Sequence, residues 1–349
     1  PNQRGASTVI PFYKPTLRRK DMDAVLQTMV DEQIGPGERK NEFLRQFCEL
    51  VGTKGGIALR SYPDALRSAL SVAGLEAGST VGVSVLSPSV YGVIAEQLGI
   101  TLIYGDIDAD HGCLSQKEAL RLVNEGCTAL LVHEPVCQIP IGCDYRELGV
   151  TVIEDITESL ESRYEEQKAG SWGDLIVCAF EEDGIVSSAG GAILAYTKDQ
   201  YKQACVPLFE GQRQYVELPD MNAALGIIQL ANLADHLRRR GELYTTFSKA
   251  LLKTHHRILG IGSIDFSPNG YGFSVVLDSK AEDAIKFATK YQVMTKRTFA
   301  ESLAGGVEEL YDHFPQATAP FLRAISVPLY PFLKQSDVEL LLKVITHLP

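Results

Sequence analysis

Nowhere in this chain of 349 residues does an apolar run reach the roughly 18 residues that a membrane-crossing helix requires. Positive charge is also short: 33 Lys and Arg face 44 Asp and Glu, for a formal net charge of −11. Non-specific binding to nucleic acid or to an anionic membrane needs clustered cations against phosphates, so neither fits. No CxxC pair, HExxH, GxGxxG or GxxxxGKS/T occurs, which leaves zinc, dinucleotide and P-loop chemistry without a carrier. His133 and Cys137 stand near the end of a predicted strand, where ordinary buried residues outweigh a metal or Cys–His pair. The opening PNQRGAS lacks the charged-then-apolar pattern of a secretory signal, and the seven cysteines are odd in number and scattered. Reduced, mostly buried thiols in the cytoplasm are therefore expected. The 45% apolar content is ample for a sizeable core, and the length allows about two domains.

What is present is organised around residues 175–196. LIVCAF and GGAILAY are short apolar runs flanking a polar loop, EEDGIVSSA, the pattern of two buried strands joined by a turn. The loop opens with Glu181, Glu182, Asp183 and Gly184 and carries no lysine, histidine or cysteine. Upstream, the spacing of Met22, Val25, Leu26 and Met29, and of Phe43, Phe47, Leu50 and Val51, predicts two amphipathic helices. From Gly56 to Asp155 predicted strands (81–86, 101–104, 128–133, 150–155) alternate with helices. Such alternation implies an α/β fold with a largely parallel sheet, helices on both faces and a ligand crevice at the carboxyl ends of the strands. A long helix is predicted within 222–256, with Leu233, Leu237, Tyr244, Phe247 and Leu251 on one stripe. The neighbouring Arg238, Arg239 and Arg240 read as a solvated face. Residues 271–277, a helix over 281–291, residues 293–298 and a helix over 336–347 read as a smaller α+β domain, placing the domains at 1–235 and 236–349.

Several local patterns, in order, resemble the DegT/DnrJ-type sugar aminotransferases, pyridoxal phosphate (PLP)-dependent enzymes of the aspartate-aminotransferase fold. They are IPFYKP (10–15), IGPG (34–37) with Phe43, YGDID (104–108), the ungapped stretch from VTVIED to VCAF (150–180), MNAALGIIQLANLADHLRRR (221–240) and ISVPLYPFL (325–333). The resemblance covers nearly the whole chain. It implies the PLP-dependent transferase fold: a mixed, mainly parallel seven-stranded sheet, a smaller C-terminal α+β domain, and a homodimer with sites at the interface.

Carried over residue by residue, the resemblance is uneven. Asp155 matches the aspartate that pairs with the pyridinium nitrogen of PLP and makes the ring an electron sink; capping the following turn is its competing structural role. The family's Schiff-base lysine falls on Asp183 or Gly184, and no lysine lies between Lys168 and Lys198. Its phosphate-holding residues fall on Arg60-Ser61-Tyr62-Pro63. Ser61 keeps a hydroxyl, Tyr62 adds bulk, Pro63 removes an N–H, and Asp64 puts a negative charge in the first helical turn. The stacking aromatic falls on Pro88, with Tyr91 the nearest substitute, and the asparagine that reaches across the dimer becomes Tyr215, followed by Glu217 at the arginine position. Glu158 stands where the family has Gln or His, and faces Asp155 unfavourably unless a cation or proton intervenes. Glu154 reads as facing a polar neighbour.

The expectation that follows is a sugar-aminotransferase homologue without catalytic residues, cofactor or metal, binding a nucleotide sugar or regulating polysaccharide or secondary-metabolite synthesis. Its pocket would draw on Asp155, Ser61, Tyr62, Tyr91, Glu158, Glu181 and Tyr215. The competing expectation is PLP or pyridoxamine phosphate (PMP) held non-covalently through Asp155 and Ser61, serving transamination or dehydration of a nucleotide-linked keto-sugar. A third and weaker one gives Glu181, Glu182 and Asp183 acid–base roles in hydrolysis or elimination, against the ordinary solvation of an acidic loop.

Overall fold

The computed structural model describes residues 9–349, so the polar PNQRGAS stretch lies outside the described residues. Apolar runs set the large sheet: β1 (Gly55–Leu59), β2 (Thr80–Ser84), β3 (Thr101–Gly105), β4 (Ala129–His133), β5 (Thr151–Asp155) and, after a hairpin of β6 (Arg163–Tyr164) and β7 (Gln167–Lys168), β8 (Leu175–Ala179) and β9 (Ala192–Tyr196). The seven long strands lie in the order β1-β9-β8-β5-β4-β2-β3. β9 is antiparallel to both neighbours and the other pairs are parallel, which is the mixed, mainly parallel sheet expected. Every residue of β8 and β9 is buried, as continuous apolar strands covered on both faces should be. Between them Gly191 holds φ at 91° with the Leu218 side chain 2.4 Å from where a Cβ would stand, so the tight return to β9 requires glycine there.

Helices cover both faces. These are α1 (Arg19–Val30), α2 (Glu38–Val51), α3 (Tyr62–Val72), α4 (Val90–Leu98), α5 (Gln116–Asn124), α6 (Asp199–Leu208), α7 (Arg213–Val216) and α8 (Asp220–Ala231). On one face Phe43 and Phe47 of α2 meet Phe180 edge-on, with ring centroids at 5.0 and 5.6 Å. On the other, Leu66 and Leu70 of α3 and Ile94 of α4 pack against Val81, Val83 and Leu194 of the sheet. Helix α1 departs from the usual rule that an apolar stripe turns inward. Its Met22, Leu26, Met29 and Val30 are 54–67% exposed, while Asp21 and Thr28 are buried and Asp21 accepts a hydrogen bond from Gln229 of α8 at 2.7 Å.

The single helix predicted over 222–256 is two, α8 and α9 (Leu233–Leu251), broken at Asn232, whose side-chain amide turns back to the Ile228 carbonyl at 2.8 Å. Along α9 the chain passes from one core to another: Leu233 packs under the large sheet, Phe247 and Leu251 under the smaller one. There follow β10 (Arg257–Ile258), β11 (Phe266–Ser267), β12 (Phe273–Val276), α10 (Ala281–Lys290), β13 (Lys296–Arg297), α11 (Leu310–His313), α12 (Pro315–Arg323), β14 (Ala324–Val327) and α13 (Gln335–Thr346). Strands β10-β12-β14-β13 form an antiparallel sheet backed by α9, α10 and α13, while β11 pairs with β6.

Candidate functional site

His133 ends β4 and Asp155 ends β5, and the two are register partners at the carboxyl edge of the sheet, where open α/β sheets place their crevices. Asp155 is fully buried. One of its oxygens, Oδ2, accepts hydrogen bonds from the hydroxyl of Tyr62 and, at 2.6 Å, from that of Tyr91. The other, Oδ1, accepts from the N–H and hydroxyl of Thr157 at 3.0 and 2.6 Å. A carboxylate offers about four acceptor positions, and four donors occupy these. Burial and the Asp155 charge raise both phenols well above their ordinary pKa, so each stays a proton donor. The capping role weighed for Asp155 is present, through Thr157, together with two phenolic partners.

Tyr62 arrives there because it is the first residue of α3. Ser61, the N-cap, accepts the Asp64 N–H at 3.2 Å and donates its hydroxyl to the Asp64 carboxylate at 2.7 Å. Pro63 follows in the first turn, and Arg67 pairs with Asp64 at 2.9 Å. The helix start is thus closed by its own side chains. Arg60 is exposed and points to the Gln214 carbonyl of α7 at 3.2 Å.

Glu158 lies beside this cluster, its Oε2 accepting the Val136 N–H at 2.7 Å with His133 Nε2 4.0 Å away. Burial raises its pKa, and His133, the Val136 N–H and Lys296 pull it back against the repulsion from Asp155. Lys296 comes from β13, its ammonium 4.4 Å from the Phe12 ring centroid. Glu158, Val136, Phe12 and Lys296, together with Glu182, Asp183 and Gly184 of the β8–β9 loop, line a cleft completed by Lys14, Arg240 and Tyr271.

Arg240 corrects the reading of three solvated arginines. Arg238 and Arg239 are partly or largely exposed and pair with Glu242, but Arg240 is 3% exposed. Its Nη1 donates to the Gly270 and Leu329 carbonyls at 2.8 and 3.1 Å, and Nε has no partner. Burial lowers its pKa to about 10, with Tyr271 and Asp183 opposing the shift. The signal was available, because 240 falls on the same three-and-four spacing as 233, 237, 244, 247 and 251. Lys296 and Tyr271 carried no local signal, since the residues around them are distant in sequence.

Other expected site residues lie apart. Glu181 is exposed and outside the cleft lining, and Tyr215 is 69% exposed on α7. Glu154 is buried and accepts the N–H groups of Gly170, Trp172 and Gly173. The seven cysteines are free and buried. Among the described residues no group of His, Cys, Asp and Glu is arranged to hold a metal ion, and no helix is long and apolar enough to cross a membrane.

The sequence profile of the DegT/DnrJ/EryC1/StrS aminotransferase family matches residues 15–346. The spore coat polysaccharide biosynthesis protein SpsC of Bacillus subtilis is 22% identical, over 95% of this chain and 94% of its own. The UDP-4-amino-4,6-dideoxy-N-acetyl-beta-L-altrosamine transaminase of Campylobacter jejuni is 24% identical over 71% of each. Among solved structures, S. venezuelae DesV in complex with a ketimine intermediate superposes with a TM-score of 0.87 at 18% identity, covering 97% of this chain and 98% of that one.

Proposed function

Given that the chain belongs to the DegT/DnrJ/EryC1/StrS aminotransferase family, we propose that it keeps the family framework as a nucleotide-sugar-binding or regulatory protein of polysaccharide or secondary-metabolite synthesis, without lysine-dependent transamination. The observation that carries this reading is the β8–β9 loop, which brings Glu182, Asp183 and Gly184 to the cleft and no amine. Covalent anchoring of PLP needs a lysine at that place. Two further features support it. The four acceptor positions of Asp155 are taken by Tyr62, Tyr91 and Thr157, leaving none for a pyridinium nitrogen. The start of α3 is closed by Ser61 and Asp64, and a carboxylate there repels a phosphate dianion. The residues present do not fit PLP.

A second copy of the chain would cover the exposed apolar stripe of α1, which supports a homodimer. Buried free thiols support a reducing, cytoplasmic setting.

The test is to add PLP to the purified protein, reduce with borohydride and map any modified lysine. The expected result is no adduct on a cleft lysine. An adduct on Lys296 or Lys14, with turnover of an amino donor, would sink the proposal. Nucleotide sugars are then screened by thermal shift: one present at about 100 times its Kd adds roughly 2.7 kcal/mol to the folded state. Absence of any stabilising nucleotide sugar would remove the ligand half of the reading.

A further inference from the structure

We infer that Tyr62 is a built-in occupant of an aromatic-ring site whose floor is Asp155, so that the chain supplies the ring from its own side chain. The geometry is specific. Asp155 is fully buried at the end of β5, yet Tyr62, whose hydroxyl reaches its Oδ2, is only partly buried. The hydroxyl end of the ring is thus enclosed while the residue as a whole keeps some exposure. Beside it Tyr91 is buried and donates to the same oxygen at 2.6 Å. Nothing in the helix start demands a tyrosine: the cap of α3 is made by Ser61 and Asp64, and the fixed φ of the first turn by Pro63. The Tyr62 phenol instead satisfies one side of a buried carboxylate that would otherwise be short of a donor.

Cutting the side chain back to alanine leaves a ring-sized space with a buried acceptor at its end and an opening where Tyr62 meets solvent. A space left by a truncated buried side chain can take up a small aromatic molecule. Here the carboxylate adds a requirement, so the class of ligand is a six-membered aromatic ring bearing one strong hydrogen-bond donor, a phenol or a pyridinium. The inference rests on the reading that no cofactor occupies this place in the native protein.

The experiment titrates 4-methylphenol and pyridoxine into the native protein, Tyr62→Ala and Tyr62→Phe, by calorimetry. Tyr62→Ala is expected to bind both at least tenfold more tightly than the native protein. Tyr62→Phe keeps the ring and is expected to behave as the native protein does. Equal binding by native protein, or binding by Tyr62→Phe that matches Tyr62→Ala, overturns the inference, as does a folded Tyr62→Ala that binds neither probe. If Tyr62→Ala does not fold, Tyr62→Ser takes its place under the same criteria, because serine also vacates the ring while keeping a small residue at the first turn of α3. Pyridoxine has no aldehyde and forms no imine with lysine. A borohydride-fixed lysine adduct of PLP on the native protein would thus overturn the functional reading without imitating either outcome of this titration.

Discussion

Glu134 and Glu154 are both fully buried, one just past β4 and the other within β5. Glu154 accepts three backbone N–H groups, whereas Glu134 accepts the Ser159 hydroxyl through Oε2, and Oε1 has no other partner. Burial, with Glu154 adding its charge, lifts the pKa of Glu134 well above the usual carboxylate range. Burial raises Glu154 too, against its three N–H donors, so the two buried carboxylates resist ionising together. A pKa raised on folding contributes stability that is complete below the unfolded value and is lost as pH climbs through the folded one. Glu134→Gln keeps a neutral donor that cannot titrate, and urea unfolding followed from mildly acidic to alkaline pH is expected to show a smaller loss as pH rises than in the native protein. Glu154→Gln strands three N–H donors of their anion and is expected to cost about 3–5 kcal/mol at neutral pH. An equal loss as pH rises in Glu134→Gln would place the proton elsewhere. Such partnerships are only half legible in sequence: Glu154 in an apolar strand already signals a polar neighbour, but nothing local identifies Gly170, Trp172 and Gly173 as its donors.

At the scale of elements, the central strands were easy to read because burial on both faces writes an uninterrupted apolar run. Helix α1 was not, since periodicity reports that a helix has two faces but not which way either points. Asp21 and Thr28 face α8 and the methionines face out. If a second copy covers that stripe, charge placed on it should separate the copies. Leu26→Glu combined with Met29→Glu is expected to convert a dimer to a monomer by size-exclusion chromatography with light scattering, with an unchanged far-ultraviolet spectrum. A native protein already monomeric at micromolar concentration would remove the homodimer proposal. Helix α3 offers a separate test of its self-closed start. Ser61→Ala is expected to lose about 1 kcal/mol in urea unfolding; no loss would mean that the Ser61 hydroxyl contributes nothing to the cap.

The whole molecule holds the family architecture to a TM-score of 0.87 at 18% identity with DesV, so the fold tolerates wide substitution while its chemistry depends on a few positions. Six patterns in order, from IPFYKP at 10–15 to ISVPLYPFL at 325–333, placed that architecture through their resemblance to the family. The cleft was harder, since its charged walls come from segments as distant as Lys14, Asp183, Arg240 and Lys296. Restoring a lysine asks whether the framework alone suffices. Gly184 cannot carry one, because a Cβ there would stand 2.8 Å from the Val186 carbonyl oxygen and 3.1 Å from that of Glu181. Asp183, which faces Tyr271 in the cleft, is the position to change. Asp183→Lys alone is expected to leave residue 183 unmodified after treatment with PLP and borohydride, because Tyr62 still holds Asp155. Asp183→Lys with Tyr62→Ala opens the ring site and supplies the amine together, and is expected to be modified at residue 183 by peptide mass mapping. Equal modification in the single and double variants would mean that the residue at 183, and not the tyrosine on Asp155, limits reaction with PLP.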